Sequence, residues 1–442
     1  MKLARGGLRP SRRATRAAEA VVERIIGTYL KPGVINLAPG SVHWAPPAEL
    51  LRRCPSDEGG NHGYDACHGD AGLISSLRSK LERENELNMS NREVMVTPGA
   101  NHAYATALLA VCDPGDQVVL FAPYYFSHLL AIQLLGLTPV VLPCNAATGA
   151  PEVSALQTAL SQPGARIRAV TLVNPSNPSG AVSDPERTSE LMRACAEGGA
   201  WLVSDEAYEH FVHDGRDAAT AGDGRGEGGA PHPITFASAG GARCEPSLAD
   251  GVISLHTFSK SYGLAGWRVG YLSYPASLDS AMLKIQDTLP THASIYSQRV
   301  ARAALEELGE TWVRAQVATL MPAREQLWRS VEPLYEHAAQ VARANEAFSP
   351  SMEAPASAPC HQPPTVQPAG AFYYMLPLPA GLEEEEAIAI LSRRHGLLVL
   401  PGSAFGLPGT LRLSYGKIGA EVAEMAASRL AHAACDLLER AG

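Results

Sequence analysis

Between Glu93 and Pro275 short, nearly continuous apolar runs alternate with stretches of helical periodicity, and no other feature narrows the fold as far. The apolar runs are Val94–Thr97, Gln117–Pro123, Thr138–Pro143, Arg168–Asn174, Trp201–Asp205, Val252–Thr257 and Gly270–Ser273. Helical spacing lies between most of them, at Asn101–Val111, Phe126–Leu135, Val153–Leu160 and Pro185–Ala196. A strand that is apolar on both faces must be covered on both, and helices between successive strands supply that cover. The pattern therefore predicts an α/β fold with a mostly parallel sheet. Such sheets bind ligands at the carboxyl ends of their strands, which is where the polar motifs of this chain fall.

The 442-residue chain is too long for one compact core, so a second domain is expected. After Tyr296 a helical stretch runs to about Arg329. Strand-like runs then appear at Phe372–Leu376 and Leu397–Leu400, with a helix over Glu383–His395 between them. This reads as a smaller α+β domain. The acidic run Glu383–Glu386 reads as a solvated helix start, where the helix dipole favours negative charge. Two segments break the texture: Asp214–Asp250, with GDGRGEGGAPHP at its centre, and Ser349–Pro368, rich in Pro, Ser and Ala. Both read as surface loops that bury little.

Composition removes several function classes. No apolar run approaches the roughly 18 residues of a membrane helix. A net charge of −9 and a pI near 5.9 argue against nucleic acid or an anionic membrane as partner. The eight cysteines stand singly and read as reduced thiols. No metal-ligand spacing occurs, His62 and His68 included, so no metal is expected. The first sixteen residues carry six basic side chains and no acid. They read as a basic arm entering a helix near Ala17–Ile26, and a cytoplasmic location is expected, with organellar import left open.

The most informative segment runs from Thr257 to Gly270: TFSKSYGLAGWRVG. A strand ends, Lys260 follows between hydroxyl side chains, and Arg268 comes eight residues later, after a glycine-punctuated turn. Hydroxyls, an arginine and flexible backbone beside a lysine suggest anion binding next to a reactive amine. A bare Ser-Lys pair would be a surface turn, but the full run S-K-x-x-G-L-x-G-x-R-x-G is far more specific.

That run resembles the lysine motif of the class I/II, fold type I aminotransferases of the aspartate aminotransferase superfamily, which depend on pyridoxal 5′-phosphate (PLP). The resemblance extends in order from about Asn36 to Tyr415. It implies a large PLP-binding domain at 48–315, interrupted by the loop near 214–250, with a seven-stranded, mostly parallel sheet. The small domain would combine part of 1–47 with 316–442, including the loop near 349–368. It also implies a homodimer with shared active sites.

Carried over residue by residue, the resemblance makes Lys260 the Schiff-base lysine and the base that moves the α-proton. Arg268, Thr257 and Ser259 would hold the cofactor phosphate, together with Gly99, Ala100 and Asn101 at a strand-to-helix turn. Tyr125, from Pro123–Tyr124–Tyr125, would cover the pyridine ring. Asn177, in the run NPSNPSG, would hydrogen-bond the cofactor's phenolic oxygen, as would Tyr208. Asp205, in SDEAY, would pair with the protonated ring nitrogen, since a lone buried carboxylate is costly. Arg412, in RLSYG after PGSAFG, would fork onto the substrate α-carboxylate. Gly40 would line the substrate pocket beside Asn177 and Arg412. Tyr64 would reach the partner subunit's phosphate, although the usual Y-G-P-x-x-G reads YDACHG here.

The implied activity is transfer of an amino group from an L-amino acid to a 2-oxo acid. A β- or γ-eliminating lyase, or an enzyme like aminocyclopropane-carboxylate synthase, would use the same cofactor residues. A PLP-binding regulatory domain is a third reading; the chain has no room for a DNA-binding partner domain beside it. Substrate choice is silent in the motifs. Trp44, Tyr124 and the segment Pro290–Gln298 are the candidates to set it.

Overall fold

The computed structural model describes residues 9–53, 63–145, 148–213, 237–348 and 367–440. Seven strands form the main sheet: β2 (Arg92–Thr97), β3 (Gln117–Ala122), β4 (Thr138–Pro143), β5 (Ile167–Val173), β6 (Trp201–Asp205), β7 (Val252–Thr257) and β8 (Gly270–Pro275). Their order is β2-β8-β7-β6-β5-β3-β4. All neighbours run parallel except β8, which is antiparallel to both β2 and β7.

Both faces of the sheet are buried in its interior strands, as the unbroken apolar runs require, whereas the edge strand β4 is only partly covered and leaves Val141 exposed. Along β3, Val118 and Leu120 pack with Tyr104 and Leu108 on one side. Val119 and Phe121 pack with Leu156 and Val170 on the other. The covering helices begin where local chemistry starts them. Asp184 caps the helix Pro185–Glu197 by accepting from the Arg187 N–H at 2.7 Å, and proline occupies the first helical position.

The C-terminal part forms a three-stranded antiparallel sheet of β9 (Tyr373–Pro377), β11 (Leu400–Pro401) and β12 (Thr410–Ser414), in the order β11-β12-β9. Helices Met321–Phe348 and Ala420–Glu439 pack on it and on each other. β1 (Ile35–Asn36) pairs in parallel with β10 (Leu397–Leu398), which ties the N-terminal strip to this unit. The strip therefore runs past the carboxyl ends of the large sheet.

Two sequence readings change. Glu384 is more than a solvated helix end: its carboxylate accepts from the Ser403 N–H and hydroxyl and from the Gly409 N–H, pinning the turn before β12. The loop read as Asp214–Asp250 is described only from Ala237, and residues 237–241 and Cys244 of that part are packed inside. Ala237, Ala239 and Cys244 are buried and Ser238 donates to Glu206 at 2.7 Å, because such small side chains fit against the sheet. Most of 349–368 lies outside the described residues. Among the described residues, no helix is long and apolar enough to cross a membrane.

Candidate active site

Parallel strands deliver their carboxyl ends to one edge of the sheet, and there a cavity of about 220 Å³ opens against β12 and the N-terminal strip. Twelve of the fourteen residues singled out in the sequence line it: Gly40, Ala100, Asn101, Tyr125, Asn177, Asp205, Tyr208, Thr257, Ser259, Lys260, Arg268 and Arg412. Gly99 lies directly behind Arg268. Tyr64 does not join them; it is 90 % exposed and its ring meets His292 edge-on.

One end of the cavity is built for an anion. Gly99 precedes the helix Ala100–Val111 with φ of +87°, and Ala100 and Asn101, in a first turn whose N–H groups lack helical partners, line the cavity. A Cβ on Gly99 would sit 2.4 Å from Arg268 Nη2, so only glycine leaves the guanidinium its place. Arg268, itself at φ of +54°, is held by its Nη1 donating to the Ala265 carbonyl at 2.9 Å. Thr257 and Ser259 bring their hydroxyl oxygens within 2.9 Å of each other beside it.

Lys260 sits on a single helical turn at the end of β7, and its Nζ donates to the Gly40 carbonyl. Burial, then the positive charges of Arg412 and Arg268, push its pKa down to about 8, against the pull of Asp205. Arg412 is buried. Its Nη1 donates to Asn177 Oδ1 at 3.0 Å and its Nη2 to the Ala38 carbonyl, while Nε has no partner. The guanidinium lies 4.6 Å from the ring centres of Tyr373 and of Phe405. Burial lowers its pKa, so a carboxylate arriving there would meet a poorly solvated cation.

Asp205, at the end of β6, faces His128, whose Nε2 lies 3.1 Å from Oδ2; the Ala207 N–H donates to Oδ1 at 3.1 Å. His128 stacks on Tyr104 with ring centres 4.0 Å apart, and the Tyr104 hydroxyl meets Thr171 Oγ1 at 2.8 Å. The Tyr208 hydroxyl is 2.5 Å from that of Tyr373, and Asn177 Nδ2 donates to it at 3.5 Å.

Sequence reasoning missed His128 and Tyr373. His128 lies three residues after Tyr125, one turn along the same helix face, and that spacing was the available signal. Tyr373 lay in an apolar run read only as a strand. The side-chain candidates also change. The Trp44 indole donates to the Ser261 carbonyl at 3.2 Å, away from the cavity. Tyr124 packs against Gly406 and lines a smaller neighbouring cavity, and Pro290–Gln298 does not line the cavity of its own chain. Val22 and Phe126 line it instead.

Behind the site lies a buried polar network that no motif announced. Glu206, Glu209 and His256 bring their ligand-type atoms within 4.8 Å of one another. Their carboxylates are already engaged. Glu209 accepts from Lys80 at 2.6 Å and Asn85 at 2.7 Å, and Glu206 accepts from Ser204 at 2.9 Å and Ser238 at 2.7 Å. Burial raises the Glu206 pKa, whereas Lys80, His256 and His210 hold the Glu209 pKa well below the usual range in spite of its burial.

This geometry coincides with a strong family likeness. The profile of the family described as aminotransferase class I and II matches residues 32–430. The chain belongs to the class I and II aminotransferases. It is 33 % identical to the aromatic aminotransferase ISS1 of Arabidopsis thaliana over 90 % of this chain and 88 % of that protein. It is 26 % identical to the probable aspartate/prephenate aminotransferase of Aquifex aeolicus over 92 % of each. Among solved structures, the aspartate aminotransferase of Rhizobium meliloti superposes with a TM-score of 0.75 at 26 % identity, covering 98 % of this chain and 100 % of its own. The protein is an aminotransferase of fold type I, exchanging an amino group between an amino acid and a 2-oxo acid. The eliminating and cyclising alternative finds no support in these relatives.

Proposed function

We propose that this aminotransferase binds PLP through the residues gathered at the cavity and takes amino acids with apolar or aromatic side chains. The observation that carries the reading is three cationic side chains, Lys260, Arg268 and Arg412, spread around one cavity, with Asp205 also in its lining.

The donor set fits the cofactor group by group. A phosphate needs several N–H and O–H donors and a cation, and the Gly99–Ala100 turn, Thr257, Ser259 and Arg268 supply them. A pyridinium nitrogen needs a buried carboxylate, which Asp205 offers with His128 behind it. A phenolic oxygen needs donors, for which Asn177 and Tyr208 are placed. When bound, PLP supplies an electron sink for the bonds of the substrate α-carbon. Lys260, with a pKa near 8, is uncharged in an appreciable fraction of molecules at neutral pH. Its Nζ can therefore take a proton from the substrate and return it. Arg412, with Nε unpartnered, orients the α-carboxylate, and Tyr125 and Phe126 shield the site from water.

With those three cations assigned, no fourth cation lines the cavity among the described residues, and the remaining wall includes Val22, Ala38 and Phe126. Such a wall favours an apolar side chain over a second carboxylate. The likeness to a relative named an aromatic aminotransferase supports the same choice. Tyr64, exposed and remote from its own cavity, supports a homodimer in which it reaches the partner's site.

The test is a single-turnover panel on the PLP-loaded enzyme, following the visible band as the cofactor accepts the amino group. Phenylalanine, tyrosine, leucine and methionine should react at least tenfold faster, as kcat/KM, than aspartate or glutamate. The reverse ranking would sink the substrate assignment. No band on adding PLP would sink the cofactor assignment.

A further inference from the structure

Tyr373 enters the site from β9 with a position that the motifs leave without a task. Arg412 pairs with Met375 across β9 and β12, so Tyr373 is its diagonal neighbour on the same face. The phenol ring then lies against the guanidinium, 4.6 Å from ring centre to Cζ. Its hydroxyl ends 2.5 Å from that of Tyr208, and both side chains are buried. A Cβ at Gly40 would lie 2.3 Å from the Tyr373 oxygen, so that oxygen also abuts the strip whose Gly40 carbonyl accepts from Lys260. One side chain thus touches Arg412, Tyr208 and the lysine's acceptor residue.

We propose that Tyr373 is a positioning residue that donates to Tyr208 and so turns the Tyr208 proton into the cavity, toward the phenolic oxygen of the cofactor. The proposal rests on the PLP reading above. An O–H···O separation of 2.5 Å means that one hydroxyl donates to the other, and two features decide the direction. Arg412 lies against the Tyr373 ring, 4.6 Å from its centre to Cζ, and draws electron density from that phenol, which strengthens its hydroxyl as a donor. Burial raises the pKa of both phenols, so both keep their protons at neutral pH. Asn177 Nδ2 also points its hydrogen at the Tyr208 oxygen. With that oxygen accepting, the proton of Tyr208 is left for the cavity that its side chain lines.

A hydroxyl that accepts a hydrogen bond becomes a stronger donor. Tyr208 then stabilises negative charge on the phenolic oxygen most when the nitrogen joining the cofactor to Lys260 has lost its proton. Tyr373 therefore lowers the pKa of that nitrogen, at one remove.

The experiment is a spectrophotometric pH titration of the PLP-loaded enzyme without substrate. Tyr373→Phe should raise the apparent pKa by about half a unit. Tyr208→Phe should raise it further, and the double variant should titrate like Tyr208→Phe alone. Replacing Tyr373 by a fluorotyrosine, a more acidic phenol of nearly the same shape, should move the pKa down. That opposite sign is one that a damaged fold would not produce, and it decides the matter if Tyr373→Phe does not fold. An unshifted pKa in Tyr373→Phe, or shifts that add in the double variant, overturns the proposal while leaving the PLP reading intact. A wild-type protein that takes up no PLP overturns the reading on which it rests.

Discussion

Gly99→Ala separates cofactor grip from folding, because the new methyl group collides with one movable side chain. Its Cβ would lie 2.4 Å from Arg268 Nη2 and 3.0 Å from Cζ. The guanidinium must retreat by about 1 Å before ordinary contact distance is restored. A flexible side-chain end can do this cheaply, so the fold suffers mainly from alanine at φ of +87° and ψ of 167°, a region open essentially to glycine alone, at about 1–3 kcal/mol. The phosphate site suffers as well, since 1 Å is enough to lose a charge-assisted hydrogen bond worth about 1.5–3 kcal/mol. PLP affinity should therefore fall about 10- to 150-fold, while the melting temperature of the cofactor-free protein drops by only a few degrees. The assay is titration of cofactor-free protein with PLP, followed by the visible band, beside a thermal melt. Arg268→Gln should reproduce the affinity loss, and the double variant should lose little more. A dissociation constant within twofold of wild type would refute the assignment of this turn and Arg268 to the phosphate.

Lys260→Met should abolish the covalent cofactor adduct seen by mass spectrometry after borohydride reduction; a persistent single adduct would refute the lysine assignment. The same variant tests the depressed pKa. Lysine binds its proton up to about pH 10.5 when unfolded but only to about pH 8 when folded. The unfolded chain therefore binds more protons between those values, and wild-type stability should gain on Lys260→Met by up to roughly 3 kcal/mol as pH rises through them. A difference in urea midpoints that ignores pH would contradict the buried, cation-flanked setting. Arg412→Leu should lower kcat/KM by about 10²- to 10³-fold for every amino acid, the cost of a buried charge pair. PLP affinity should barely move; a loss confined to one substrate would point to side-chain recognition instead. His128→Ala leaves the Asp205 carboxylate buried with one N–H donor and should cost about 2–3 kcal/mol in the cofactor-free protein. With PLP bound the loss should be smaller, and equal losses in both forms would argue against Asp205 pairing with the cofactor.

Much of the fold was legible because its determinants are local. The runs at Gln117–Pro123, Thr138–Pro143 and Trp201–Asp205 became β3, β4 and β6 within a residue at either end. A segment apolar on both faces has few other solutions. Strand direction was not legible: Gly270–Ser273 has the same texture as its neighbours, yet β8 runs antiparallel. The turn between β7 and β8 decides this, since it returns the chain to the edge it has just left.

The motifs carried their residues to the cavity for a related reason. Gly99, Tyr125, Asn177, Asp205 and Lys260 each lie at or just after a strand end, so chain direction alone places them on one edge. That much belongs to the sequence by itself, together with the family and its chemistry. The tertiary structure decided which side chains act on those residues from elsewhere in the chain. His128 behind Asp205, Tyr373 against Arg412 and Tyr208, and Glu384 on the turn before β12 depend on packing between segments up to 165 residues apart, as for Tyr208 and Tyr373. The pKa of Lys260 is likewise a product of burial and of two arginines, Arg412 brought in on β12 and Arg268 from the turn before β8. Hydrophobic periodicity reports the environment along a segment. Hydrogen bonds and charge interactions depend on distances that exist only once the segments have met.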